Sequence, residues 1–93
     1  MPEASFEWND AKDLANRDKH GVGFAEAQQA FLDPNRLIFA DTAHGGSEQR
    51  FFCLGLVGDR VLTVRFTWRD GRIRLIGAGF WRKGGRLYAR HRG

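Results

Sequence analysis

Hydrophobic and polar positions follow two different patterns along this chain. In the stretch FAEAQQAFLDP, Phe24, Ala27 and Phe31 recur at i, i+3 and i+7, which is the spacing of one helix face. In RVLTVRFTWR and the segments beside it, apolar and polar residues alternate with the period of a half-buried strand. The pattern predicts helices in the first third of the chain and a β-sheet after them.

Two helices are predicted before the sheet. The first covers NDAKDLANRDKHG, because its Asn-Asp start can cap it and Gly21 can stop it. The second covers FAEAQQAFLDP and ends before Pro34. A third helix is predicted in the tail, WRKGGRLYARHRG, although its two adjacent glycines each cost up to about 1 kcal/mol relative to alanine.

Four strands are predicted between the second and third helices. Their sequences are RLIFAD, RFFCLGLV, RVLTVRFTWR and RIRLIGAGF, and the loop TAHGGSEQ separates the first two. Two-residue turns of type I′ or II′, at Gly58-Asp59 and Asp70-Gly71, join the other strands. Hairpins of this kind pair their strands antiparallel.

The two tight turns set the register of the last three strands. In that register Arg69 lies opposite Arg72, and Arg65 lies opposite Ile76. Alternate side chains then fall on two faces of the sheet. The predicted core face carries Phe51, Cys53, Leu62, Val64, Phe66, Trp68, Ile73 and Leu75. The other face carries Arg50, Arg65, Thr67, Arg69, Arg72 and Arg74, with Phe52 among them.

Charge is distributed unevenly over the 93 residues. Residues 1–48 hold four basic and nine acidic residues, a net charge of −5, whereas residues 49–93 hold eleven basic and two acidic residues, a net charge of +9. Twelve of the fifteen cations are arginines, the side chain suited to bidentate phosphate binding. A chain of this length forms one domain, 1–93, and its basic half predicts nucleic acid, an acidic protein or a membrane surface as partner.

The five arginines on the face opposite the core, with no acid among them in the predicted register, indicate a phosphate-binding surface. Like charges that face each other across strands destabilise a sheet, so an anion from outside the chain would compensate them. The alternative is a solvated sheet face that is rich in arginine for solubility alone. We favour binding, because protein surfaces usually mix both signs of charge.

Several kinds of site are not supported by the sequence. The three histidines are far apart and Cys53 is the one cysteine, so neither a metal site nor a disulfide is predicted, and Cys53 is expected to be buried. The glycine-rich GAGFWRKGG lacks the Gly-Lys-Ser/Thr of a phosphate-binding loop, and no cofactor is expected. No membrane span or signal peptide is apparent, and a cytoplasmic protein is expected.

Cleavage of RNA is a reaction that the available side chains permit. The 2′-hydroxyl of RNA supplies the nucleophile, so the protein needs a base, an acid and cations. Candidates besides the arginines are Lys19, His20, His44 and Tyr88. Lys12, Asn16 and Lys19 share one face of the first helix, with His20 beside them. The alternative for the helix residues is a helix face that is merely solvated. The alternatives for the other two are that Tyr88 is a half-buried aromatic residue and that His44 is an ordinary loop residue.

Two long stretches of the chain resemble a known family of toxins. FEWNDAKDLANRDKHGVGFAEAQQAFLDP is similar to the motif F-x-W-D-x-x-K-x-x-x-N-x-x-K-H-G, followed by F-x-x-A and D-P, of the BrnT family, and DTAHGGSEQRFFCLGLVGDRVLTVRFTWRDGRIRLI is like its next stretch. The resemblance implies a RelE-like α+β fold: two N-terminal helices packed on a small antiparallel sheet, and a C-terminal helix. It also implies a ribonuclease that inhibits translation. A BrnA-like ribbon-helix-helix antitoxin would neutralise it, and DNA would be bound only through that complex.

The resemblance weakens toward the C-terminus. Where the family has I-S-A-R-x-A, Gly77 and Gly79 replace the serine and the arginine. Where it has E-R-x-x-Y, Gly85 replaces the glutamate and Tyr88 lies one position before the family's tyrosine. We therefore expect a metal-independent endoribonuclease that these glycines attenuate. The expected catalytic residues are Lys19, His20, Arg65, Arg69, Arg74, Arg86 and Tyr88, and the expected RNA-binding residues are Lys12, Arg50 and Arg72. The alternatives are a catalytically weakened or dead module that binds RNA, DNA or the antitoxin, and an interaction protein whose basic face docks an acidic partner.

Overall fold

The computed structural model describes residues 5–43 and 46–92 and shows an α+β arrangement in this part of the chain. A sheet of five strands carries helices on both faces. The elements in chain order are β1 (Phe6–Glu7), α1 (Asp10–His20), α2 (Phe24–Ala27), a 3₁₀ helix (Gln28–Leu32), β2 (Leu37–Asp41), β3 (Arg50–Val57), β4 (Arg60–Arg69), β5 (Arg72–Gly79) and α3 (Arg82–Arg92). The first and third predicted helices and the four predicted strands are therefore confirmed, with a fifth strand added. The second predicted helix is α-helical only over Phe24–Ala27 and continues as a 3₁₀ helix over Gln28–Leu32.

The sheet is mixed and has the order β1-β5-β4-β3-β2. The strands β2 to β5 pair antiparallel, whereas β1 pairs in parallel with β5, with Phe6 opposite Ile73 and Glu7 opposite Arg74. The expectation of a wholly antiparallel sheet was wrong. A strand of two residues has no alternation to detect, so the sequence pattern did not indicate β1.

Both predicted turns have the backbone of hairpin turns. Asp70 and Gly71 have positive φ angles of 53° and 75°, as a type I′ turn requires. In the other turn only Gly58 has a positive φ, of 67°, as a type II′ turn requires. These turns place Arg69 opposite Arg72, as predicted.

A β-bulge changes the register between β4 and β5. Phe66 lies opposite Leu75, but Arg65 lies opposite Gly77, so Ile76 is the additional residue. The predicted pairing of Arg65 with Ile76 was wrong, because strict alternation cannot anticipate an inserted residue. The bulge places a residue without a side chain beside Arg65.

The hydrophobic core lies between one face of the sheet and the segment that contains α2 and the 3₁₀ helix. It contains six of the eight predicted core residues, packed against side chains such as Phe24 and Ala27 from α2. Phe51 is partly buried against this cluster. Trp68 is 54% exposed, so its assignment to the core was wrong. It lies next to Arg69 at the end of β4, where its ring contacts Phe66 edge-on at 6.4 Å between centroids.

Asn16 joins α1 to the edge of the sheet. Its side-chain amide donates to the carbonyls of Val22 and Ala78, at 2.9 Å each, and its Oδ1 accepts from the Ala78 N–H at 3.1 Å. The residue is only 8% exposed. The prediction that Lys12, Asn16 and Lys19 share one helix face was therefore wrong for Asn16, which points inward while the two lysines are exposed.

Helix α3 packs on the outer face, which is the sheet face opposite the core. A Cβ at Gly84 would collide with the Thr63 hydroxyl and would lie 3.3 Å from the Leu54 side chain. Gly84 therefore permits the close approach of helix and sheet, although glycine has a low helix propensity. No helix in the described ranges is long and apolar enough to cross a membrane.

A hydrogen bond from Tyr88 to Asp33 connects α3 to strand β3. Tyr88 is 2% exposed, and its hydroxyl donates to Asp33 Oδ2 at 2.5 Å. The same carboxylate oxygen accepts from the backbone N–H of Leu56 on β3 at 2.8 Å. Asp33 thus links the segment after the 3₁₀ helix, strand β3 and helix α3.

Candidate nucleic-acid interface

The outer face carries a row of charged side chains that crosses all five strands. In the pairing register, Asp41, Arg50, Thr67, Arg74 and Glu7 follow one another on β2, β3, β4, β5 and β1. One arginine therefore lies on each side of the buried Thr67, and one acidic residue lies at each end of the row. Hydrogen-bonded strands hold these positions, so the spacing of the cations is fixed by the backbone.

Acidic side chains reach the outer face from outside the predicted hairpins. Glu7 binds Arg74 at 2.9 Å and lies 3.7 Å from Arg72, and Glu48 binds Arg69 at 2.8 Å. The expectation of a face without acids was wrong. Glu7 comes from β1, 67 positions before Arg74 in the chain, and Glu48 comes from the loop before β3, so the alternation within the hairpins could not place them.

The ion pair between Arg69 and Glu48 shifts the pKa of both side chains. The hydrogen bond from Arg69 lowers the pKa of Glu48, and the charges of Arg50 and Arg74 act in the same direction. The same hydrogen bond raises the pKa of Arg69. Because both side chains reach solvent, salt screens the pair, and such exposed pairs hold only weakly. A polyanion that contacts several arginines can therefore replace Glu48.

Arg65 is the arginine of this face that lies closest to the middle of the sheet. It is half-buried on β4, opposite Phe52 on β3 and Gly77 on β5. It makes no ion pair with any residue that the structure describes. Arg50 is also half-buried, and its Nε has no hydrogen-bond partner in the described ranges. The Arg65 guanidinium can therefore bind a phosphate without first losing an ion pair to a described residue, whereas the Arg50 Nε is buried and is not accessible to a phosphate.

An apolar groove of about 460 Å³ lies between the outer face and α3. Phe39 and Phe52, paired across β2 and β3, form one side of it, and Trp81 and Leu87 lie on the side of α3. Ala40, Leu54, Thr63, Lys83 and Gly84 complete the lining. Sequence reasoning did not find this groove, although the position of Phe52 among the arginines was the signal for it.

Lys19 and His20 lie at a different place from the ion-paired arginines. Both are exposed at the end of α1, and the His20 ring contacts the Trp81 ring edge-on at 5.3 Å between centroids. Trp81 covers Gly79, the last residue of β5. Gly79 is five residues from Arg74, or roughly 16 Å along the strand. Lys19 and His20 therefore lie at the end of β5 opposite to Arg69 and Arg74, and Arg65, opposite Gly77, lies between them.

The described residues offer no evident metal site or reactive thiol. They contain no cluster of three or more His, Cys, Asp or Glu side chains that could hold a metal ion. Burial raises the pKa of the Cys53 thiol to about 12, so this side chain stays protonated at neutral pH and is a poor nucleophile. His44 lies outside the described residues.

A comparison with family models decides the family of this chain. The model described as the ribonuclease toxin BrnT of type II toxin–antitoxin systems matches residues 8–84. The chain belongs to the BrnT toxin family. Membership implies an RNA substrate and an antitoxin partner. A comparison with curated proteins found no match.

The BrnT match includes the arginines of the outer face but ends before part of the predicted site. Gly85, Arg86 and Tyr88 lie beyond residue 84. Arg86 is exposed on α3, whereas Tyr88 is buried and its hydroxyl binds Asp33. A side chain so enclosed cannot reach an RNA phosphate. We therefore assign Tyr88 a role in the fold and leave it out of the proposed site.

The three glycines that we expect to attenuate this BrnT chain have different surroundings. A Cβ at Gly79 would lie 2.5 to 2.8 Å from three atoms of the Trp81 ring, whereas one at Gly77 would lie 3.8 Å from Asn16 Oδ1, an ordinary contact. A Cβ at Gly85 would meet nothing within 4 Å. Of these three positions, only Gly79 has a neighbour that a side chain would displace, because a Cβ there would collide with the Trp81 ring.

Proposed function

We propose that this chain is an endoribonuclease toxin that binds RNA phosphates on its outer face and cleaves the RNA there. The observation that carries the proposal is the fixed row of Arg50, Thr67 and Arg74, with Arg65 beside it. Cations held by a sheet cost little reorganisation when charge develops on a phosphate, and each such donor can account for about 10²–10³ in rate. Family membership supports the reaction class.

The proposed reaction uses the substrate's own hydroxyl and needs no metal ion. A base removes the proton of the 2′-hydroxyl, the 2′-oxygen attacks phosphorus, and the bond to the 5′-oxygen breaks as that oxygen takes up a proton. The products are a 2′,3′-cyclic phosphate and a 5′-hydroxyl. Arg65, Arg69 and Arg74 would stabilise the charge on the phosphate oxygens, while Arg50 and Arg72 hold neighbouring phosphates.

Glu7 is our candidate for the base. Its carboxylate lies on the outer face, 2.9 Å from Arg74, and is partly buried. If a phosphate binds these two arginines, a neighbouring 2′-hydroxyl would lie within reach of the carboxylate between them. His20 and Lys19 are the alternative acid–base pair, at the other end of β5, and Lys12 and Arg86 would there contact the backbone of the RNA. Variants of Glu7 and His20 distinguish the two placements.

The finer biological setting is part of the same proposal. Acting as one toxin domain over residues 1–93, the chain would cut cytoplasmic RNA and inhibit translation. A BrnA-like ribbon-helix-helix antitoxin would neutralise it and would carry all DNA binding of the complex. Expression of the chain alone should stop growth, and co-expression of a ribbon-helix-helix protein encoded next to its gene should restore it.

Product analysis of RNA incubated with the purified chain in EDTA tests the proposed reaction. The expected fragments end in a 2′,3′-cyclic phosphate and begin with a 5′-hydroxyl. Fragments that appear only when a divalent metal is added would contradict the metal-independent mechanism.

A second candidate function is a binding module without catalysis. It is favoured by the glycines at 77, 79 and 85 and by the ion pairs that already occupy three of the five arginines. RNA binding without any cleavage, in the native chain and in Gly85→Glu alike, would establish this module and exclude the nuclease. An interaction protein would instead bind its acidic partner and show no affinity for RNA.

A further inference from the structure

The apolar groove beside α3 directly adjoins the arginines of the outer face. Phe52, on its wall, lies opposite Arg65 across β3 and β4, and side chains paired in this way have Cβ atoms about 4.5–5.5 Å apart. Phe39 continues the same row on β2. An aromatic surface and a guanidinium group that forms no ion pair with a described residue are therefore neighbours on one rigid sheet.

The shape and lining of the groove fit a flat, apolar ligand that carries negative charge. Its volume of about 460 Å³ lies within the range of small-ligand sites. Phe39, Phe52 and Trp81 supply three aromatic rings, Lys83 adds a cation, and no acidic side chain is among its described lining residues. A nucleotide has this combination of properties, because a flat base is joined through a sugar to a phosphate.

We propose that the groove binds one unpaired RNA base while the phosphate next to that base lies on Arg65. This inference rests on the proposed function, and it names the form of RNA that the site selects. A base within a duplex is stacked on both sides and cannot enter a groove, whereas the bases of single strands can be splayed onto aromatic side chains. The groove therefore selects single-stranded RNA.

The test uses Phe39→Ala, with Ile38→Ala as the matched control. Both residues lie on β2, but Phe39 lines the groove and Ile38 points to the opposite face and is exposed. The probes are a single-stranded RNA and a base-free ribose-phosphate oligomer of equal length and charge. Phe39→Ala should weaken binding of the RNA by about 5-fold to 150-fold, which is the range for loss of one stacked base, with an unchanged salt dependence. It should leave binding of the base-free oligomer unchanged, as should Ile38→Ala for both probes.

The native chain provides a second measurement that does not depend on a variant. It should bind single-stranded RNA more tightly than the base-free oligomer, and it should bind the same RNA less tightly when a complementary strand is annealed. Equal affinity for RNA and the base-free oligomer would overturn the proposal, even if the RNA is cleaved. Selective loss of antitoxin binding in Phe39→Ala, with RNA binding intact, would instead make the groove a protein-binding site. RNA binding with base selectivity but without cleavage would retain the groove and reject the nuclease.

Discussion

Glu7 and Arg74 lie opposite each other in the parallel pair of β1 and β5, and Glu7 Oε2 accepts a hydrogen bond from Arg74 Nη1 at 2.9 Å. The contact places a carboxylate within the group of arginines that we propose to bind RNA. The two-residue strand β1 thus supplies an acidic side chain to the outer face as well as closing the edge of the sheet. The same geometry allows Glu7 to act as a base or to compete with phosphate for Arg74, and these roles have different kinetic consequences.

Replacement of Glu7 by Gln separates those two roles. If Glu7 is the base, Glu7→Gln should lower kcat by about 10²–10⁴ while RNA binds at least as tightly, because a negative charge has been removed. Single-turnover cleavage and equilibrium binding would measure both effects. Glu48→Gln is the control, since it also removes a carboxylate from an arginine of the outer face and should preserve kcat. An unchanged kcat in Glu7→Gln, with a loss in His20→Gln, would move the reaction to the other end of β5.

The glycines at 79 and 85 should respond in opposite ways to substitution. Gly79→Arg should lower the free energy of unfolding by about 1–3 kcal/mol, because the new side chain must displace the Trp81 ring. Gly85→Glu should leave stability nearly unchanged, because a Cβ there meets nothing within 4 Å. Thermal denaturation of the two variants would show the difference. An equal and small effect of both substitutions would contradict the packing described at Gly79.

The packing of Trp81 against Gly79 determines which variant can test the attenuation hypothesis. A variant that carries both Gly79→Arg and Gly85→Glu would combine a loss of packing with a gain in cleavage activity. Gly85→Glu alone is the informative variant, and increased cleavage in it would support attenuation by the native glycine.

Tyr88→Phe should destabilise the fold without impairing the chemistry. The substitution leaves a buried carboxylate oxygen of Asp33 with one donor fewer, and such losses cost about 1–3 kcal/mol. Urea denaturation should show that loss, while kcat for RNA cleavage under native conditions stays within a factor of about two. A normal stability with a greatly reduced kcat would return Tyr88 to the active site.

Stability should fall at high pH because of Cys53. Its pKa is about 12 in the folded chain, against 9.0 for the exposed thiol, and burial is the main cause. The folded state therefore keeps a proton that the unfolded state loses, so the contribution is complete below pH 9 and declines as the pH rises toward about 12. Urea midpoints at several pH values should fall less steeply for Cys53→Ala than for the native chain. Identical slopes would show that the thiol does not cause the loss.

Much of the fold could be predicted from local signals. The Asn-Asp start and Gly21 bound α1 as expected, and the two tight turns set the register of the hairpins as far as Phe66. The alternation of apolar and polar residues then distinguished the core face from the face with the arginines, with the exception of Trp68, which is exposed near the end of β4. These elements follow from contacts between residues close in sequence.

The features that were missed depend on contacts between distant parts of the chain. The bulge at Ile76 breaks the alternation without any local signal, and β1 is recognisable only through its pairing with β5. Glu7 consequently reaches Arg74 across 67 positions of sequence. Likewise, Gly84 was interpreted as a weak point of a helix, and only the packing of α3 against Thr63 explains the residue.

The most direct test of the central claim compares Arg65→Ala with Arg17→Ala in RNA binding and cleavage. Each substitution removes one positive charge, but Arg65 lies on the outer face, whereas Arg17 is exposed on α1 and pairs with Asp13. We predict that Arg65→Ala reduces the slope of log affinity against log salt concentration by about one and lowers the cleavage rate by about 10²–10³. Arg17→Ala should change neither quantity appreciably. Equal effects of the two substitutions would contradict the account, because RNA would then respond to the net charge of the chain and not to its outer face.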